Sequence, residues 1–406
     1  MRSLMVVSRA AFLLVFLSLV FSTSFSQSKN EEQYWRKQSD QIALLYTEGK
    51  YIEGLKLAQT VLSEAEGVFG KENPNITVFL NHSGRFQWKL GNYKDAEDLF
   101  KRSLDIRQRV LGNDNLEVAE VLNDLGVVKQ AIGNYPEAEA DFKKALSIRE
   151  KVLGPDHQDV AYSLDGLASI DQATGKLAEA ESYFKRALAI REKTLDTDDP
   201  AVATSLNNLA LLYDLEKNYF KAEKLLDRAI TSEEETLGPN HPDLATSLNN
   251  LAQVYIDEHQ YSDAEPLLKH ALSLKEKSFG TTHLSLAPIL NSLGVLYVMK
   301  KNYNEAESYF TRALSILEKG LGVDHPRVAS AFFNLGSTKE KLGSHQEALT
   351  LIQGALSVDE KQGGGETLDV AKDLEGLAMI QAKLGNQEEA RKALARAKQI
   401  REKLGR

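Results

Sequence analysis

The octapeptide "ATSLNNLA" occupies residues 203–210 and occurs again, unchanged, 42 residues later at 245–252. The same spacing relates a wider series of segments: "LNHSG" at 80, "LNDLG" at 122, "LDGLA" at 164, "LNNLA" at 206 and 248, "LNSLG" at 290, "FFNLG" at 332 and "LEGLA" at 374. Self-similarity at a constant period is typical of a solenoid, in which each unit buries its apolar face against its neighbours.

A second series of short motifs follows the same period and gives the number of repeats. It reads "GKY" at 49, "GNY" at 91 and 133, "GKL" at 175, "KNY" at 217, "HQY" at 259, "KNY" at 301, "GSH" at 343 and "GNQ" at 385. The chain therefore contains about nine units of 42 residues, with no insertion between them.

Each unit is predicted to form two helices. In the third unit, Leu122, Leu125 and Val128 recur at helical spacing, and Ala138 and Phe142 resume that spacing after a break at "GNY". Proline is expected in the first turn of a helix, where its missing N–H costs nothing. On this basis we expect helices to open at Pro136, Pro200, Pro242 and Pro326, and close helix crossing to require the small residues Gly126, Ala138, Ala180, Ala210, Ala222, Ala252 and Ala264.

These residues resemble a known repeat family. The pattern of Leu122, Leu125, Gly126, Ala138, Phe142 and Ala145 is similar to the tetratricopeptide-repeat signature, and a long second helix such as "RALAIREKTL" at 186 resembles the 42-residue repeats of kinesin light chains. The resemblance covers residues from about 33 to 406 and implies an all-α, right-handed α-solenoid. It does not extend to a motor adaptor, because the chain lacks a heptad segment and starts like an exported protein.

The first 26 residues have the layout of a secretory signal peptide. Arg2 and Arg9 precede the apolar run "AAFLLVFLSLVF" at 10–21, and small serines follow it. We expect cleavage near Ser24 or Ser26, so that N-terminal sequencing of the native protein would begin near Phe25 or Gln27. The alternative is an uncleaved anchor, although 12 residues rise only about 18 Å as a helix. The predicted organisation is a signal peptide at 1–26 and a repeat array at 27–406, exported to the periplasm or secreted.

Composition excludes several classes of function. The formal net charge of −9 argues against nucleic-acid binding, which requires a basic face. The absence of cysteine excludes disulfides, thiolate zinc sites and a cysteine nucleophile. No stretch after the first 26 residues is long and apolar enough to predict a membrane span.

The paired asparagines of the octapeptide are candidate ligand-binding residues. Leu206 and Leu209 are predicted to point into the stack, which places Asn207 and Asn208 on the edge that lines a concave groove in tetratricopeptide arrays. Because an amide both donates and accepts, a row of amides can hold an extended backbone. The alternative is that they bridge neighbouring repeats and stiffen the stack. The candidate amides are Asn123, Asn207, Asn208, Asn249, Asn250, Asn291 and Asn334.

Apolar residues on the same predicted face suggest specificity. Ile256, Val298 and Phe333 would make the groove apolar in the sixth to eighth repeats, and such a patch usually marks a binding site. The alternative is that they pack within the stack. The family's clamp for a C-terminal carboxylate is absent at the corresponding positions, where only Lys372 would fit.

No motif indicates catalysis. Four histidines, His157, His241, His283 and His325, are separated by 42 or 84 residues and so lie in different repeats, too far apart to share a zinc ion. Helix capping explains them better. We therefore predict no catalytic residue, metal or cofactor, and we treat an enzyme with a hidden site as the least favoured alternative.

The basic C-terminal segment "RKALARAKQIREKLGR" at 391–406 is interpreted as the polar cap of the solenoid, or alternatively as a contact for anionic lipid or an acidic partner. The sequence thus predicts a non-enzymatic scaffold that binds an extended peptide or protein segment in its groove. The second hypothesis is a structural subunit of a cell-envelope assembly that uses its outer face and ends.

Overall fold

The computed structural model describes residues 27–196, 199–363 and 365–405, so the predicted signal peptide at 1–26 lies outside the described residues. The described residues form eighteen α-helices. They are α1 Gln27–Thr47, α2 Tyr51–Phe69, α3 Thr77–Lys89, α4 Tyr93–Leu111, α5 Leu116–Ala131, α6 Tyr135–Leu153, α7 Gln158–Thr174, α8 Leu177–Thr194, α9 Pro200–Leu215, α10 Tyr219–Leu237, α11 Leu244–Asp257, α12 Tyr261–Phe279, α13 Ala287–Met299, α14 Tyr303–Leu321, α15 Pro326–Lys341, α16 His345–Gly363, α17 Leu368–Lys383 and α18 Gln387–Lys403.

Consecutive helices pair into helix-turn-helix repeats, which confirms the all-α solenoid fold. An odd-numbered first helix packs against the even-numbered second helix that follows it. Short 3₁₀ turns at Pro74–Ile76 and Leu284–Leu286 precede α3 and α13. The chain divides into two compact units, Met1–Pro239 with α1 to α10 and Asn240–Arg406 with α11 to α18. The single array predicted over 27–406 stays a prediction.

Aromatic rings on the second helices pack against small residues on the first helices. A Cβ atom added at Gly126 would lie 2.8 Å from the ring of Phe142, and one added at Gly294 would lie 2.4 Å from the ring of Phe310. Real Cβ atoms do not approach carbon this closely, so the ring occupies the space that glycine leaves. This confirms that Gly126 is small because the two helices of its repeat are in close contact.

Most of the predicted helix boundaries are confirmed. Pro200 and Pro326 are the first residues of α9 and α15, and Pro136 is the second residue of α6. The prediction that Pro242 opens a helix is wrong, because α11 begins at Leu244. Residues 241–244 form a tighter turn, in which the N–H of Leu244 donates to the carbonyl of His241 at 3.3 Å.

Ion pairs connect the second helices of several neighbouring repeats within each unit. Arg186 contacts Glu150 at 2.6 Å in the first unit, and Arg312 contacts Glu276 at 2.5 Å in the second. The arginine always follows its glutamate by 36 residues. We call this series the ion-pair ladder; its other members are Arg102–Glu66, Arg228–Glu192 and Arg396–Glu360. Each pair is partly exposed, so each contributes only about 0–1 kcal/mol.

Candidate functional site

The four histidines cap helices or the turn that leads into one, as the spacing predicted. The ring nitrogen Nδ1 of each accepts a hydrogen bond from the backbone N–H two residues later, at 3.2 Å for His157, 3.3 Å for His241, 3.2 Å for His283 and 3.0 Å for His325. This satisfies an N–H that a helix start leaves without a partner. Across residues 27–196, 199–363 and 365–405, no group of three or more metal-ligating side chains converges. None of the helices in that part of the chain has the length and apolar character of a membrane crossing.

The predicted amides of the first unit are buried. Asn123, Asn207 and Asn208 are 8%, 6% and 7% exposed. Asn207 donates to the carbonyl of Ala203 in its own helix at 2.8 Å. Asn123 accepts a hydrogen bond from Ser163 in the next repeat at 3.3 Å. Bridging between repeats, the alternative considered from the sequence, therefore occurs at Asn123, and a ligand role for these three residues stays a prediction.

The predicted amides of the second unit are more accessible. Asn250 is buried, whereas Asn249, Asn291 and Asn334 are partly exposed. Asn334 Nδ2 donates to Asn291 Oδ1 at 2.7 Å and joins α15 to α13. This bond leaves the Nδ2 donor of Asn291 and the Oδ1 acceptor of Asn334 without a partner in the described part of the chain. The pair therefore presents one donor and one acceptor from two neighbouring repeats.

The predicted apolar residues also differ in how far they are exposed. Val298 and Phe333 are partly exposed on α13 and α15, the helices that carry the amide pair. The neighbouring Met299, which the sequence also places on this face, is 49% exposed. Ile256 is 2% exposed, so a ligand would have to displace its neighbours to reach it, and its role in binding stays a prediction.

Lysines border this surface. The ammonium of Lys372 lies 4.0 Å from the ring centroid of Phe333, in a cation–π contact between α17 and α15. Lys341 and Lys383 both form ion pairs with the buried carboxylate of Glu340. Two ammonium groups thus share one carboxylate at the C-terminal end of α15.

The first unit contains a charge network that sequence reasoning missed. Arg85 donates to Glu120 at 2.7 Å and to Asp124 at 3.1 Å, and Arg107 reaches Glu120 at 3.2 Å. Burial alone would raise the pKa of Glu120, but the two guanidinium groups outweigh it and hold that pKa at about 2. The signal in the sequence is a pair of acids four residues apart on α5, a spacing that a solvated helix face also shows.

These observations define a protein built from stacked helix pairs with an amide and apolar surface on its first helices. The sequence matches the tetratricopeptide repeat over residues 38–109, 76–151, 117–193, 159–230, 201–277, 252–319, 285–360 and 327–403. The chain belongs to the tetratricopeptide-repeat family. No curated protein shows significant sequence similarity to it.

Solved structures share the fold at low sequence identity. A Rap protein complexed with Competence and Sporulation Factor has a TM-score of 0.58 and 16% identity, covering 92% of this chain and 99% of its own. The apo form of RapI has a TM-score of 0.50 and 18% identity, covering 71% and 98%. A protein from Podosopora anserina, described as a kinesin light chain with nearly identical TPR-like repeats, has a TM-score of 0.44 and 25% identity, covering 51% and 98%. Tetratricopeptide-repeat proteins act as protein-interaction scaffolds, typically without enzymatic activity.

Proposed function

We propose that the second unit binds an extended peptide or protein segment along α13 and α15. The observation that carries this proposal is the Asn291–Asn334 amide pair, which is partly exposed and retains one donor and one acceptor. An extended backbone presents N–H and C=O groups in alternation, so it can satisfy both atoms at once.

The residues around the amide pair support the same function. Val298, Met299 and Phe333 would contact apolar side chains of the segment, while the amides hold its backbone. Partly exposed apolar side chains beside polar backbone-binding groups are typical of peptide sites. Family membership supports a protein ligand, and the Rap protein, a neighbour of the same fold, is complexed with Competence and Sporulation Factor.

The test uses peptides that residues 27–406 select from a phage-displayed library of short peptides. Replacing both Asn291 and Asn334 with alanine should weaken binding of the best selected peptide, because two backbone hydrogen bonds are lost. The expected loss of binding free energy is about 1–3 kcal/mol, or roughly five- to a hundred-and-fifty-fold in affinity. Calorimetric titration measures the affinity, and thermal melting is recorded on the same samples. The matched control is Asn304→Ala, since Asn304 is exposed on the second helix α14.

Two results would count against the proposal. The first is a library selection that enriches no peptide above background. The second is a double variant that melts several degrees lower while its affinity stays at the wild-type value. That outcome would make the amides internal scaffolding and would favour the structural-subunit alternative.

A further inference from the structure

Arg149 in the first unit is a buried cation without an ion-pair partner. It lies on α6, is 8% exposed, and donates through Nη1 to Asn123 at 3.2 Å and to Ser163 at 2.7 Å. Both acceptors are neutral. Within residues 27–196, 199–363 and 365–405, no carboxylate lies within 4.0 Å of this guanidinium, and its Nε and Nη2 groups have no hydrogen-bond partner.

Other repeats show what an arginine at this register normally contacts. Arg191, one repeat later, donates to the carboxylate of Asp165 at 2.6 Å. In the last repeat, Arg401 contacts both carboxylate oxygens of Glu375, at 2.7 and 3.0 Å. Arg107 reaches a carboxylate of the next repeat, as described above. Every other arginine at this position of the repeat therefore contacts a carboxylate, and Arg149 is the exception.

Two differences between repeats account for the exception. Arg107 also faces an amide at this register, Asn81, but it pairs with Glu120, and the residue 42 positions after Glu120 is Tyr162. Asn123 stands 42 residues before Asp165, at the same position of its first helix, and Ser163 likewise corresponds to Ser205. Arg191 bonds to both Asp165 and Ser205, as Arg149 bonds to both Asn123 and Ser163. The third repeat thus keeps the arginine and the serine but has an amide in place of the carboxylate.

Surrounding acids compensate this charge only in part. Burial lowers the pKa of the Arg149 guanidinium, and the more distant Asp159, Glu120 and Asp124, together with Tyr162, oppose that effect without cancelling it. A buried charge is costly unless it is paired and fully hydrogen-bonded. A ligand that supplies a negative charge at this point would remove that cost.

We infer that Arg149, with Asn123 and Ser163, is a binding site for the side-chain carboxylate of an aspartate or glutamate on a segment bound by the first unit. The guanidinium offers two N–H groups to one carboxylate, the arrangement that Arg401 and Glu375 already form in this chain. The site is separate from the amide pair of the second unit. It rests on the proposed function in one respect, namely that the carboxylate belongs to a protein or peptide ligand.

The experiment compares the full chain with Asn123→Asp, which places a carboxylate on Arg149 as Asp165 does on Arg191. The probes are potassium acetate, measured against potassium chloride at equal ionic strength, and a blocked pentapeptide with one central glutamate, measured against its glutamine counterpart. The wild type should melt higher in acetate than in chloride and should bind the glutamate peptide about tenfold or more tightly than the glutamine peptide.

The variants separate a specific site from general salt effects. Asn123→Asp should melt higher than the wild type in chloride and lose both the acetate response and the preference for glutamate. Arg149→Met should lose both responses as well, and Asp165→Asn should gain a second acetate-sensitive site at Arg191. Equal binding of the two peptides by the wild type, or an unchanged acetate response in Asn123→Asp, would overturn the inference. An unchanged affinity for the library peptides after alanine replaces both Asn291 and Asn334 would overturn the proposed function alone.

Discussion

Three residues adopt a backbone conformation that the other repeats assign to glycine. Lys217, His259 and Lys301 have φ values of 60°, 66° and 59° in the turn between the helices of their repeats. The same register holds a glycine with positive φ in the remaining repeats, at Gly49, Gly91, Gly133, Gly175, Gly343 and Gly385. A side chain at positive φ brings Cβ close to the backbone and costs about 1–2 kcal/mol.

Replacing Lys301 with glycine should therefore raise the free energy of unfolding by about 0.5–1 kcal/mol, after the greater freedom of glycine in the unfolded chain is subtracted. Urea denaturation followed by circular dichroism measures the change. The reciprocal control, Gly343→Lys, should lower stability. A decrease in stability for Lys301→Gly would show that the lysine side chain contributes more than its backbone strain costs.

At the residue scale, the sequence predicted types of interaction better than degrees of burial. Spacing was enough to assign the histidines to helix starts, because a cap depends only on residues within one turn. Burial of Asn123 depends on Arg149 and Ser163, which approach it from a second helix and from the next repeat. A position on a helix face does not report how closely a neighbouring repeat covers it. The accessible pair Asn291 and Asn334 therefore could not be separated from the buried Asn123, Asn207 and Asn208.

Two carboxyl groups face each other where α16 meets α17. Asp373 is 3% exposed, and burial, followed by repulsion from Asp359, raises its pKa to about 8. Burial and the nearby charge of Asp369 raise the pKa of Asp359 to about 6. Both values lie above the pKa of about 3.9 expected in the unfolded chain. The folded state therefore binds protons more tightly, and stability should fall as pH rises from about 4 through 8.

Asp373→Asn should remove this penalty. At pH 8.5, above both pKa values, we expect the variant to be more stable than the wild type by on the order of 1–3 kcal/mol. Near pH 4 the two proteins should melt together, because the wild-type pair is protonated there. Melting curves across this range measure the difference, and Asp263→Asn, at an exposed aspartate on α12, serves as the control. A constant difference at all pH values would show that the pair does not titrate in this range.

The elements themselves followed from local signals in the sequence. Glycine at positive φ ends several second helices, and proline opens α9 and α15, so both kinds of boundary can be predicted. The boundary at Pro242 differs because a turn of i to i+3 hydrogen bonds delays the start of α11. The sequence "LGPNHP" gives no signal for that delay, since a proline at the first helical position and one in a preceding turn occur in the same context.

Within a unit, each repeat packs against its sequence neighbours, so stability should be nearly additive over repeats. Deleting residues 116–157, one whole repeat of 42 residues, should leave a helical and soluble protein, because the flanking repeats can stack in the same register. Deleting only residues 116–136 should not, because it joins two second helices. Circular dichroism and gel filtration distinguish these results. Loss of folding in the 42-residue deletion would contradict the nearest-neighbour description.

At this scale the period of 42 residues was sufficient to predict the number of repeats. It did not indicate the division between Pro239 and Asn240, because the segment there continues the period without a break. Division into compact units depends on how tightly particular side chains fill each junction, and that information is spread over residues far apart in the chain.

The packing between successive repeats has a mechanical consequence. Within a unit each repeat packs mainly against the repeats next to it, so a force pulling on the two ends of a unit passes through the junctions in series. The weakest junction should rupture first and release its repeat alone. A released repeat of 42 residues adds roughly 140–150 Å of extended chain. Under tension the protein would lengthen in discrete increments of that size and shorten in the same increments when the load is removed, which would make it an extensible tether.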